Sequence, residues 1–212
     1  MTSTMKFIDI HTHNKSEGTA YAIFNNNGEP TTGYASVGIH PWDVDNNWKE
    51  RFRTITELAK APNAVAIGEC GIDRLHPGAT LETQTEVFRV HIALSEEVRK
   101  PLIIHCVKAF ENIITLHKDY RPQQAWIIHG FRGKPQQAEQ LTRAGLYLSL
   151  GEHFNADSAK VIPADKLFVE SDESNVPIAE IYARIAKVRG CSTEELAFQI
   201  ESNAAHCGIR FT

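Results

Sequence analysis

The sequence predicts an α/β fold built from parallel strand–helix units in a single domain. Three observations predict it. Short apolar runs alternate with longer amphipathic stretches, ligand-type polar residues stand where the apolar runs end, and the chain has 212 residues. One α/β barrel can take up that length whole. With no internal repeat, low-complexity tract or linker in view, residues 1–212 are assigned to one domain.

The elements follow in order. Phe7–Ile10 is a strand that runs into His11-Thr12-His13. Ala20–Phe24 and Tyr34–Ile39 are two further apolar runs, separated by the turn-type residues Asn25 to Gly33, and this spacing suggests a hairpin. Trp48–Lys60 is helical by spacing, with Phe52, Ile55, Leu58 and Ala59 on one face. Ala64–Ile67 is a strand, Leu81–Arg99 a long helix and Pro101–Ile104 a strand. Phe110–His117 is a helix, Ala125–Ile128 a strand, and Pro135–Ala144 a helix stopped by Gly145. Leu146–Leu150 and Leu167–Val169 are strands, and Ile178–Arg189 is a helix ended by Gly190. Ser192 to Glu195 reads as a capping box opening the last helix.

Composition narrows the function. Hydrophobic residues make up 42% and charged residues 23%, as in a globular domain. The net charge of −4 argues against a broad basic surface for nucleic acid or anionic membrane. It leaves room for a nucleic-acid substrate whose phosphates are met by metal. Cys70, Cys106, Cys191 and Cys207 form no CxxC, which points to free thiols in a reducing compartment. No apolar run approaches the ~18 residues of a membrane span. A cytoplasmic protein without a membrane or obligate protein partner is expected.

The chemistry lies in the strand ends. His11 and His13 close the first run, His40 the third, Glu69 the fourth, His105 the fifth and His129 the sixth; Asp172 follows the last. In an α/β barrel, side chains at the C-terminal strand ends converge although they are distant in sequence. His11 and His13, two apart on a strand, point to one face and can reach one ion. One such pair is more often packed or exposed. Even four of these histidines with two carboxylates at successive strand ends are hard to obtain from core packing and point to a metal centre. This donor set suits Zn²⁺, Mn²⁺ or Fe²⁺ better than Mg²⁺. Asp9, on the face of His11 and His13, is expected to support them. Cys70 and Cys106 are expected to be packing thiols, His153 a loop residue, and His76, His91, His117 and His206 surface or packing residues.

The ordered series Asp9-Ile10-His11-Thr12-His13, Gly38-Ile39-His40-Pro41, Ile67-Gly68-Glu69-Cys70-Gly71-Ile72-Asp73, Lys100 to His105, Ile128-His129-Gly130-Phe131 and Val169-Glu170-Ser171-Asp172 resembles the TatD family of metal-dependent hydrolases. The resemblance runs from about Phe7 to Gly208. It implies a TIM-type barrel, two divalent metal ions (Zn, Mn or Mg) and phosphodiester hydrolysis of DNA. Carried over residue by residue, it implies that His11, His13 and Asp172 hold one ion. Glu69 would bridge to a second ion held also by His105 and His129. Two ions about 3.5–4 Å apart can generate a hydroxide at neutral pH and stabilise the attacking and leaving oxygens. Asp172 is expected to act as general base, with Glu69 the other catalytic carboxylate. His40 and Asp73 match positions near the substrate, with a substrate, supporting or structural role open for each.

The chain departs from the family in length. A helix, a strand and another helix normally separate the first motif from Gly38-Ile39-His40-Pro41, but only Asn14–Gly33 is present here. A trimmed barrel lacking about two helices between the first and third strands is therefore expected. The loop after Asp172 is short and lacks its arginine, the usual Ser-Arg-Asp after the barrel histidine is Cys106-Val107-Lys108, and Arg74 replaces a tyrosine. Arg74 and Lys108, with Arg132 and Lys134, are candidates for a rebuilt basic rim; exposed loops explain them equally well. The leading expectation is a phosphodiesterase acting on DNA or another phosphodiester. The alternatives are a dinuclear-metal deacylase or amidohydrolase, and a metal-binding partner protein without turnover.

Overall fold

The structure is a computed structural model that describes residues 6–14, 20–28, 32–76 and 78–211. Part of the expected turn, at 29–31, and the segment 15–19 lie outside the described residues. Eight parallel strands form one sheet in the order β1 to β8: β1 Phe7–Thr12, β2 Ala20–Asn26, β3 Ala35–Val37, β4 Ala64–Asp73, β5 Leu102–Val107, β6 Trp126–Ile128, β7 Tyr147–Leu150 and β8 Leu167–Val169. A parallel bridge between Thr12 and Asp172 brings the last strand back to the first. There His13 N–H donates to Asp172 O at 2.9 Å, and Asp172 N–H donates to His11 O at 3.0 Å. The sheet is thus a nearly closed TIM-type barrel.

Seven α-helices surround it among the described residues: α1 Trp48–Leu58, α2 Leu81–Val98, α3 Phe110–Tyr120, α4 Pro135–Arg143, α5 Ala156–Val161, α6 Ile178–Arg189 and α7 Thr193–His206. No helix lies between β1 and β3 among the described residues, as the shortened segment predicts. The apolar runs read as unbroken because each strand is covered on both faces; all of β3, β4, β6, β7 and β8 is buried. The capping box forms, with Ser192 accepting from Glu195 N–H and Glu195 accepting from Ser192 N–H. Gly145 and Gly190 take positive φ just beyond α4 and α6.

Two expectations are corrected. Ala20–Phe24 and Tyr34–Ile39 do not form a hairpin: β2 and β3 are parallel, with Phe24 beside Ala35. That register requires the chain to step back only two residues, about 7 Å, so the eight residues from Asn27 to Tyr34 suffice for a parallel return. The fourth strand does not end at Ile67 but continues to Asp73. Gly68 and Gly71 of this strand serve close approach to β5. A Cβ at either would lie 2.3 Å from Ile103 O or 2.1 Å from His105 O of β5, and both have φ near +140°. The register of β4 on β5 shifts between Ile67 and Cys70, and Glu69 lies in that irregularity.

Candidate metal centre

Glu69 is the hub. Its carboxylate is buried and ringed by five imidazoles. His11 Nε2 and His13 Nε2 lie 3.3 and 3.4 Å from Oε2. His40 Nε2, His105 Nδ1 and His129 Nε2 lie 3.1, 2.9 and 2.7 Å from Oε1. Asp172 Oδ1 completes the first side, 3.8 Å from His11 Nε2 and 3.6 Å from His13 Nε2. The strands that end here supply each group, and closure of β8 on β1 sets Asp172 beside the histidine pair.

The electrostatics follow from the crowding. Burial alone would raise the Glu69 carboxyl, but His129, His105 and His11 hold it far below the usual carboxylate range. Burial lowers His11, whereas contact with Glu69 raises His13. Burial would also lower His129, but Glu69 and Glu170 hold it well above the ordinary value.

The residues fit a divalent cation. His11 is fully buried, yet neither ring nitrogen has a hydrogen-bond partner; the contact with Glu69 is close but poorly aligned. An imidazole stripped of water and left without a partner is costly unless it ligates something. Three donor groups lie within ligating reach of a single ion: His11, His13 and Glu69; His40, Glu69 and His105; and His11, His129 and Asp172. Neutral imidazoles with carboxylates are the donor chemistry of Zn²⁺ and Mn²⁺.

Around this ring lie orienting groups. Asp73 Oδ2 contacts His105 Nε2 at 3.1 Å, which leaves Nδ1 facing Glu69. Asp73 also accepts from Trp42 Nε1–H at 2.7 Å. Burial would raise its carboxyl, but Trp42, Leu75 N–H and His105 hold it low. Asp9 holds Ser171, accepting from its N–H at 2.9 Å and its hydroxyl at 2.6 Å, and so fixes the residue before Asp172. Burial pushes the Asp9 carboxyl up to about 7. The other predicted positions are as expected: Cys70 is buried, His153 is exposed, and His91 accepts from Ile39 N–H inside the core. All four cysteines are free.

Sequence reasoning missed three residues. Glu170 is fully buried, accepts from Gly130 N–H at 2.5 Å and lies 3.5 Å from His129 Nδ1. Its signal was a glutamate at the end of an apolar strand. Asn25 clamps Glu69, accepting from its backbone N–H at 3.0 Å and donating from Nδ2 to Oε2 at 3.2 Å. It was read as a turn residue. Trp42, 52% exposed, stacks on His76 and forms the wall between two grooves.

The first groove, about 690 Å³, holds Asn25, Asn26 and Asn27 and reaches Glu69, His105 and Asp172. The second, about 800 Å³, shares His105, His129 and Asp172 and extends over the loops after β4, β5 and β6. Arg74 and Lys108 line the second groove. No helix among the described residues is long and apolar enough to cross a membrane.

Comparison with known proteins adds a third line. The model of the TatD-related DNase family matches residues 3–207. The uncharacterized metal-dependent hydrolase YabD of Bacillus subtilis is 32% identical over 81% of this chain and 75% of its own length. The 3'-5' ssDNA/RNA exonuclease TatD of Erwinia amylovora is 29% identical over 81% and 76%. Among solved structures, the TatD homologue YJJV of Escherichia coli K12 superposes with a TM-score of 0.82 at 20% identity, covering 97% of this chain and 99% of that one.

Proposed function

The chain belongs to the family of TatD-related DNases, and on that premise we propose that it is a divalent-metal-dependent hydrolase that cleaves phosphodiester bonds of single-stranded DNA or RNA. The observation that carries this reading is the division of Glu69 between two sets of donors, His11 and His13 at Oε2 and His40, His105 and His129 at Oε1. A carboxylate so placed can bridge two cations. His11, His13 and Asp172 would hold one, and His105 and His129 would hold the other. His40, as close to Glu69 as they are, joins the second group. The imidazole-rich set favours Zn²⁺ or Mn²⁺ over Mg²⁺. When bound, the ions lower the pKa of water and neutralise charge on the phosphoryl group.

The chain's own residues do the rest. Asp172 is open to both grooves, and its carboxylate takes the proton of the attacking water as general base. Asn25 keeps Glu69 Oε2 turned toward His11 and His13, while Asp73 and Glu170 hold His105 and His129 in one orientation. Arg74 and Lys108 meet substrate phosphates. The free thiols suit the reducing cytoplasm. The family favours phosphoryl over acyl transfer, and the intact ligand set disfavours a partner protein without turnover.

Elemental analysis of the purified protein is expected to find about one to two divalent ions per chain. Glu69→Ala should deplete them and lower cleavage of single-stranded DNA by about 10²–10³-fold or more. A wild-type protein that holds no metal and gains no cleavage from Zn²⁺, Mn²⁺ or Mg²⁺ would overturn the reading.

A further inference from the structure

The two grooves that meet at the metal centre differ in charge. Beside Glu69 and Asp172, the first groove is lined by Asp43 and Glu173 and, among the described residues, by no lysine or arginine. The second is lined by Arg74, Lys108, Arg132 and Lys134 against Glu111 and Asp172. None of these four cations makes an ion pair among the described residues. They come from three successive loops at the C-terminal end of the barrel, after β4, β5 and β6. Four unpaired cations around one groove repel one another unless a polyanion lies between them. Trp42 stands half-exposed at the junction, with its N–H tied to Asp73 and His76 stacked against it, so the indole is held in place and its exposed surface can stack on a base.

We infer that the second groove is a subsite for the phosphate backbone of a single-stranded nucleic acid, gripped by Arg74, Lys108, Arg132 and Lys134, while the acidic, asparagine-lined groove accepts only the terminal nucleoside beyond the metals. This rests on the nuclease reading but reaches further. It gives the strand one direction of approach, with the body of the polymer over the loops after β4 to β6. It also replaces the arginines missing after His105 and Asp172 with Lys108 and with cations from the loops after β4 and β6. A duplex cannot present splayed bases to Trp42, so the groove selects single strands.

The test is equilibrium binding of a fluorescein-labelled, phosphorothioate-linked 12-mer of thymidine, which resists cleavage, to the metal-loaded protein across 50–200 mM salt. Each phosphate neutralised on a single strand contributes about −0.7 to the slope of log affinity against log salt, so four cations give a slope of about −3. The double variant Lys108→Asn/Arg132→Ala should flatten the slope by about 1.4 and weaken binding at 50 mM at least fivefold. Asparagine is chosen because Lys108 has φ +54°, which asparagine tolerates. The control double variant Lys118→Ala/Arg121→Asn, in a separate pocket with His117 and with asparagine again chosen for a positive φ, should leave the slope unchanged. An unchanged slope in the first variant, equal flattening in the control, or equal binding of a duplex overturns the proposal. The correct slope without metal-dependent cleavage of any phosphodiester would sink the proposed function and leave the subsite standing. Cleavage with an unaltered slope would do the reverse.

Discussion

The barrel has a thin side and a backed side. From β4 to β8 each strand is joined to the next through a helix, α2, α3, α4 and α5 in turn. From β1 to β3 the described residues contain none. There the outer covering comes from the other end of the chain: Phe211 stacks on Tyr21 with centroids 4.8 Å apart and packs edge-on against Tyr34, and Tyr182 of α6 donates its hydroxyl to Ile8 O of β1 at 2.7 Å. Both sides nevertheless supply the metal centre, His11, His13, Asn25 and His40 from the thin side and Glu69, His105 and His129 from the backed side. Positioning therefore comes from the strand register, which ladder hydrogen bonds fix, while the helices supply buried apolar area and with it stability.

Damage to the packing of each side should separate the two most strongly. Phe88→Ala, within fully buried α2 packing, should cost about 3–5 kcal/mol, and Phe211→Ala, only partly buried, less than half of that; urea unfolding measures both. Equal costs would mean that the thin side bears as much of the stability. Next comes the seam. His91 of α2 accepts from Ile39 N–H beside β3, and burial lowers its imidazole to about 4 from an ordinary 6.5. The unfolded chain takes up that proton below pH 6.5, and the folded chain only near pH 4. Stability should thus fall as pH drops through this window, by about 3 kcal/mol in all. His91→Gln should flatten this fall in a series of Tm measurements; a fall that persists undiminished would place the acid sensitivity elsewhere. The smallest effect concerns the supporting groups. Asn25→Ala on the thin side and Asp73→Asn on the backed side should each weaken metal affinity about 10–100-fold in competition with a chelator. A loss confined to one would show that the two sides do not share the site equally.

The alternation of apolar runs and amphipathic stretches gave away the parallel architecture, and Glu69, His105, His129, Asp172 and the His11–His13 pair come together as their strand ends predict. The rest depended on what pattern does not encode. The continuation of the fourth strand past Ile67 depends on Gly68 and Gly71, whose close approach to β5 is visible only in three dimensions. The β2–β3 return looks like a hairpin until its two-residue offset is known. Helix α5 spans only Ala156–Val161, too short for a clear period. Asn25, Trp42 and Glu170 act through register and proximity, so nothing local marks them out.

The bridge between Thr12 and Asp172 joins residues 160 apart. Closing so long a loop is among the most entropically expensive contacts the chain makes, and it depends on the strands between being in place. A chain emerging from the ribosome therefore carries His11 and His13 long before it carries their partner carboxylate. The proposed cation site of His11, His13 and Asp172 can be completed only after β8 has been synthesised and docked, so fragments cut short of Asp172 should be inert. A potential nuclease is in this way kept silent until the barrel is whole.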